Sequence, residues 1–138
     1  MRFPGKLLKV GRYWAIEVPM LGVATQGRSR QEALEMIRDA IELLADRKDF
    51  SVQVFPGVDG YFEVGSPDHA TLGALLLRRV RTRSRLTLAQ VAERLGARSL
   101  NAYARYEQGR CAPTLPKLLE LLSAATSAPD FVLTESRL

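Results

Sequence analysis

The sequence predicts an α+β protein in which a small β-β-β-α-β domain at residues 1–66 precedes an all-helical domain at residues 67–138. Three observations carry this. Short β-rich runs cluster before residue 66, helical periodicity takes over beyond residue 72, and the charge divides at the same place. From Met1 to Ser66 there are nine Lys/Arg against nine Asp/Glu, a balance of zero; from Pro67 to Leu138 there are eleven against six, so the whole excess of +5 lies in the second half. A neutral module followed by a basic one suits a chain in which only one part meets a polyanion.

In the first half, Lys6–Val10 and Tyr13–Val18 read as strands joined by a Gly11-Arg12 turn. Pro19 and Gly22 end the second run, and Val23–Gln26 begins a third. Ser29 and Glu32 have capping-box spacing, where the serine hydroxyl accepts from the Glu32 amide and the carboxylate reaches back. The helix opened there places Ala33, Ile37, Ala40, Ile41 and Leu44 on one stripe, which needs a sheet face to cover it. Val52 and Val54, then Phe62 and Val64, alternate around a Pro56–Gly60 turn and suggest a further strand with a possible fifth. Gly65-Ser66-Pro67-Asp68 is rich in turn formers and reads as the linker.

The second half begins with a helix over Leu72–Arg83, with Leu76, Leu77 and Val80 available for burial. Thr87 is a suitable N-cap for a second helix carrying Leu88, Val91, Ala92 and Leu95 and stopped by Gly96. A third helix runs from about Leu100 to Gln108 and ends at Gly109; Pro113-Thr114-Leu115-Pro116 opens a leucine-rich fourth. In the tail, Phe131-Val132-Leu133 is an apolar run suited to a strand or a dimer contact.

Two short helices joined across a glycine-containing turn are what a helix-turn-helix requires, and its second helix enters the major groove N-terminus first. Helical spacing turns Tyr103 and Tyr106 toward the core and Asn101, Ala102 and Arg105 outward. Arginine can grip guanine and asparagine adenine with paired hydrogen bonds, each worth ~1–3 kcal/mol of discrimination. Arg98 and Ser99 fall in the turn, and Arg83 closes a run of five arginines in eight residues (Arg78, Arg79, Arg81, Arg83, Arg85). The candidate DNA contacts are Arg83, Thr87, Arg98, Ser99, Asn101, Ala102 and Arg105. A solvated helix face explains such an arginine run when it stands alone; here it stands beside a helix-turn-helix pattern.

The second-half motifs Leu86-Thr87, Val91–Gly96, Tyr106–Arg110 and Pro113–Leu115 resemble, in order, the Xre/lambda-repressor-like DNA-binding domains. That resemblance implies a structural ion pair between Arg81 and Glu107. Two departures stand out: Leu88 occupies a place where the family often has glutamine, and one extra residue separates Gly96 from Glu107. In the first half, Tyr13–Pro19, Gly22–Gly27, Ser29 with Glu32-Ala33, and Ala40-Ile41 resemble the HicB antitoxin domain, and Asn101–Glu107 is similar to the recognition segment of HicB proteins with this type of C-terminal domain. The joint resemblance implies a reduced ribonuclease H-like first domain that binds a small RNA-cleaving toxin of the HicA type. It also implies a second domain that represses the chain's own operon, acting as a homodimer or homotetramer. The competing expectation is a stand-alone regulator whose first domain serves oligomerisation or ligand sensing.

An enzyme is not expected. His69 is the only histidine and lies at the linker; Cys111 is the only cysteine, so neither a disulfide nor a zinc site can be assembled from this inventory. Glu35, Asp39, Glu42 and Asp46 lie opposite the apolar stripe of their helix, and with Glu17 on the sheet they read as a solvated charged surface rather than a metal site. No catalytic residue, cofactor or metal is therefore expected. The apolar share of 46%, the brevity of the longest apolar stretch (Leu72–Leu77) and the lack of a secretory signal core lead to the expectation of a cytoplasmic protein without membrane contact.

Overall fold

The computed structural model describes residues 1–96, 99–126 and 131–138. The chain divides into two compact units: residues 1–68 together with 136–138, and residues 69–135. The sequence placed the division at 66/67 and gave the whole tail to the second domain; the last three residues instead join the first unit.

The first unit has strands β1 (Arg2–Val10), β2 (Tyr13–Val18) and β3 (Val23–Gly27), helix α1 (Arg30–Ala45), then β4 (Gln53–Pro56) and β5 (Tyr61–Gly65). The fifth strand is present, and all five form one antiparallel sheet in the order β3-β2-β1-β5-β4. β1 is central and longer than its local pattern suggests, because two partners divide it. Lys6–Val10 pairs with β2, whereas Arg2–Lys6 pairs with β5. Pro4 and Gly5 weaken a strand locally, yet a Cβ on Gly5 would strike the Phe62 ring opposite, so the glycine makes room for a core aromatic.

One face of the sheet carries Phe3, Leu7, Ile16, Val18, Phe62 and Val64, all buried, and α1 covers them with Ala33, Ile37, Ile41 and Ala45. Burying a large aliphatic or aromatic side chain contributes ~1.5–3 kcal/mol, so this layer is the main stabiliser of the unit. Leu44, expected on the buried stripe, is instead 40% exposed, and Ala45 occupies the buried place one residue on. Ser29 caps α1 by accepting from the Glu32 N–H at 3.0 Å, and the Glu32 carboxylate accepts from the N–H of Arg28, one residue outside the cap. Asp46 ends the helix in a left-handed conformation, its N–H bonded to the Glu42 carbonyl.

Glu63 on β5 is 3% exposed and would be costly there without partners. It has four. The Ser136 hydroxyl donates at 2.7 Å, the Tyr61 hydroxyl at 2.7 Å, the Arg137 backbone N–H at 3.1 Å and the Arg2 guanidinium at 3.3 Å. Arg2 also lies 3.5 Å over the Phe55 ring. These bonds are why residues 136–138 belong to the first unit. Phe131–Leu133 forms no strand, and Val132 and Leu133 are exposed.

The second unit contains α2 (His69–Arg83), α3 (Leu88–Arg94), α4 (Leu100–Glu107) and α5 (Leu115–Ala125). α2 starts three residues earlier than its apolar pattern indicates, and His69 is exposed in its first turn. Leu77, Val80, Val91, Tyr103, Leu121 and Ala125 are among its most deeply buried side chains.

Burial raises the Glu63 carboxyl, but the bonds from Ser136, Tyr61, Arg137 and Arg2 outweigh it and hold the group at about 2, against an ordinary 4.5. A carboxyl depressed in the folded state contributes stability that is complete above its unfolded value and is lost as pH falls toward the folded one. Acid titration followed by tryptophan fluorescence should therefore show the first unit weakening between pH 4.5 and about 2. Glu63→Gln should flatten that dependence while lowering stability at pH 7.

Candidate nucleic-acid interface

The site is built outward from α2. Its Arg81 guanidinium reaches α4, donating from Nε to Glu107 Oε1 at 2.6 Å and from Nη2 to Oε2 at 3.1 Å. Nη1 donates to the Leu86 carbonyl at 2.9 Å, so one side chain ties α2 both to the turn before α3 and to the end of α4. The Tyr103 hydroxyl donates to Glu107 Oε1 at 2.8 Å from a fully buried ring. The Arg81 and Glu107 side chains are 16% and 7% exposed, which makes this a largely desolvated pair. Its hydrogen bond to Glu107 raises Arg81 above its ordinary value, and burial together with the Glu107 charge pushes the Tyr103 phenol up.

The turn before α3 follows from α2's ending. Arg85 takes a left-handed φ of 57°, and the Arg85 and Leu86 N–H groups bond back to the Thr82 and Arg81 carbonyls. Thr87 then caps α3 in a complete capping box: its hydroxyl accepts from the Gln90 N–H at 3.1 Å, and the Gln90 side-chain oxygen accepts from the Thr87 N–H at 2.8 Å. Gly96 ends α3 with φ 65°, a conformation that favours glycine. Ser99 caps α4, its hydroxyl accepting from the Asn101 N–H at 3.2 Å. Both cap hydroxyls keep a hydrogen with which to meet a phosphate oxygen.

Asn101, Ala102 and Arg105 are exposed on α4, while Tyr103, Ala104 and Glu107 are buried and Tyr106 is half-buried. The polar face thus begins at the N-terminal end of the helix. Arg83 is exposed at the end of α2, Thr87 and Ser99 are exposed at their caps, and Arg98 lies outside the described residues. Of the five arginines in the α2 run, Arg81 is withdrawn into the ion pair; Arg78, Arg83 and Arg85 remain exposed. Arg94 turns the other way, toward the Ala124 carbonyl of α5 at 3.4 Å.

Two residues on this surface were not singled out from the sequence. Gln108 and Arg110 line an open concavity of about 460 Å³ together with Asn101, Ala104 and Arg105. The helical signal was present for Gln108, which follows Asn101 and Arg105 at seven and three residues. Arg110 lies beyond Gly109, outside the helical spacing. Asparagine, glutamine and two arginines around one concavity supply paired donors and acceptors of the kind that read base edges and grip phosphates. Among the described residues, no group of three or more His, Cys, Asp or Glu stands close enough to hold a metal ion, and no helix is long and apolar enough to cross a membrane.

A family model described as a helix-turn-helix domain matches residues 72–130, most of the second unit. No match was found among curated proteins. That match supports a DNA-binding helix-turn-helix domain within the second unit, over the stretch that holds α3 and α4.

Removing one partner of a buried ion pair leaves the other uncompensated and costs roughly 3–5 kcal/mol. Glu107→Ala should lower the stability of the second unit by about 3 kcal/mol, a shift of ~15 °C in its thermal midpoint by calorimetry. The paired replacement Arg81→Met with Glu107→Leu should recover much of that loss.

Proposed function

We propose that the chain is a cytoplasmic antitoxin and repressor: its second unit reads double-stranded operator DNA through α4, and its first unit neutralises a small RNA-cleaving toxin of the HicA type. The DNA-binding half of this reading is carried by one observation, the exposed Asn101–Ala102–Arg105 face at the start of a helix that Arg81, Glu107 and Tyr103 lock in place. Asn101 and Arg105 are the base readers. Arg83 and Thr87 contact phosphate, and Arg98 and Ser99 contact phosphate or base, the phosphate contacts giving an attraction that weakens as salt rises. In a homodimer two such helices fall about one helical turn of DNA apart, ~34–36 Å, on an inverted repeat.

The toxin-binding half is supported by the HicB-like motifs between Tyr13 and Ile41 and by the zero net charge of residues 1–66. Toxin occupancy would alter operator affinity by linkage, since a ligand that favours one DNA-binding state must itself be favoured by it. No catalytic step is assigned to the chain. A second reading is a stand-alone regulator whose first unit serves oligomerisation or ligand sensing; the helix-turn-helix match at residues 72–130 supports DNA binding under either reading.

Co-purification with the product of a small neighbouring gene, followed by mobility shift on the upstream DNA, separates the two. A stable complex that binds that DNA supports the antitoxin; DNA binding without any protein partner supports the stand-alone regulator. At the level of residues, Arg105→Ala should cost ~1–3 kcal/mol on the operator and relax preference at one base step. Arg83→Ala should weaken operator and random DNA alike and reduce the salt slope by about one. Equal losses on both DNAs for Arg105→Ala would remove it as a base reader.

A further inference from the structure

The two edges of the sheet differ. β4 is four residues long, ends at Pro56, and has Phe55 covered by the Arg2 guanidinium at 3.5 Å. β3, Val-Ala-Thr-Gln-Gly, carries no charge and no proline; Val23 and Thr25 are half-buried toward α1, and Ala24 and Gln26 are exposed on the opposite face. An edge strand presents a row of unpaired backbone groups, which proteins usually guard with lysine, proline or a bulge. β3 has neither a lysine nor a proline.

α1 supplies an independent observation. Next to its buried stripe runs a second apolar stripe, Met36, Ala40, Leu43 and Leu44, at spacings of four, seven and eight residues. Met36 is 41% exposed, Leu43 80% and Leu44 40%. The opposite flank of the helix is turned toward β4: Leu34 and Glu42 are half-buried there, and Glu42 Oε1 accepts from the Val52 N–H at 2.8 Å, just before β4 begins. α1 packs mainly on β3 and β2, and its Met36–Leu44 flank is the one turned away from β4, toward the β3 side. An unguarded strand edge and an uncovered apolar stripe therefore open on the same side of the unit.

We propose that a second copy of this chain docks on that side. The two β3 strands pair antiparallel about a two-fold axis near Thr25 to give one ten-stranded sheet. An axis normal to the sheet keeps both α1 helices on the same face, side by side and antiparallel, with their apolar stripes in contact. A two-fold interface needs a patch that complements itself, and an antiparallel strand edge does so through its backbone alone. Ala24, Gln26 and Ala40 put no like charges or large side chains against their counterparts. The first unit, neutral in sum, meets its copy without net repulsion, whereas the second unit carries the +5. Removing the exposed Leu43 and Met36 from water supplies the apolar drive that the strand edge lacks.

This names the surface behind the homodimer invoked above and rests on that part of the reading. The full chain in a Cys111→Ser background, with Thr25→Cys, tests it. Across an antiparallel pair the two Cα atoms stand ~4.5–5.5 Å apart, inside the range a disulfide accepts. The expected result is a covalent dimer under mild oxidant, from a chain whose circular dichroism matches the parent. Sedimentation equilibrium of the unsubstituted chain should give twice 15.3 kDa, and Met36→Glu with Leu43→Glu should weaken self-association about a hundredfold. If Thr25→Cys folds poorly, that double variant decides by mass alone. A two-chain mass with no cross-link at residue 25, or one unchanged in the double variant, overturns the surface but leaves the dimer. A one-chain mass at high concentration overturns both.

Discussion

The second unit depends on how one guanidinium is satisfied. Arg81 sits at the junction of α2, the turn before α3 and the end of α4, and its Nε, Nη1 and Nη2 all donate to protein oxygens. A planar fork of donors matches a carboxylate in two places at once, which lysine cannot do. The pairing fixes the distance between helices and also the rotation of α4 about its own axis. Tyr103, one turn before Glu107, adds its hydroxyl to the same carboxylate and fills the space beneath the helix. Asn101 and Arg105 point outward because Tyr103, Ala104 and Glu107 are held inward. A buried pair of this kind gains little net stability over an apolar substitute, since desolvation offsets the Coulomb attraction; its geometric selectivity is the larger benefit.

The first unit uses a similar device for another end. Glu63 is a buried carboxylate on a central pair of strands, stabilised by side chains from β1 and β5 and by the backbone of Arg137. It anchors the last three residues to the sheet, so the chain returns to its first unit after α5. Electrostatics otherwise divide the labour. The sheet unit balances its charges, whereas the helical unit exposes Arg83 and Arg85 at the end of α2 and the turn after it, and Arg105 and Arg110 at the end of α4 and beyond it. A protein with this division can attract a polyanion to one unit and leave the other for neutral contacts.

Several features were legible in the residues because they are local. Ser29 and Thr87 as caps, the turn at Gly11, the stop at Gly96 and the inward stripe Ala33–Ile37–Ile41 all depend on neighbours within four positions. The candidate DNA-reading face followed the same rule, since which side of a short helix is polar is a question of spacing. Features set by distant partners were not legible. Arg2–Gly5 reads poorly as a strand until β5 is placed beside it, and Leu44 looks like core until packing turns Ala45 inward in its place. Arg110, beyond Gly109 and outside the helical spacing, joins Asn101, Arg105 and Gln108 only where the folded chain brings them around one concavity.

The sequence by itself determined the class of the protein, an α+β unit followed by helices with a basic helix-turn-helix, because periodicity, caps and charge are properties of short stretches. The tertiary structure decided which strand is central, which sheet edge is left open and where the tail is held, because each of these requires pairing residues distant in sequence, up to 134 positions apart for Arg2 and Ser136. Backbone hydrogen bonds are the same for every residue type, so a sequence carries little information about which strands they will join. Side-chain packing, such as that of Phe62 over Gly5 and of α1 over β2 and β3, helps select one pairing among many.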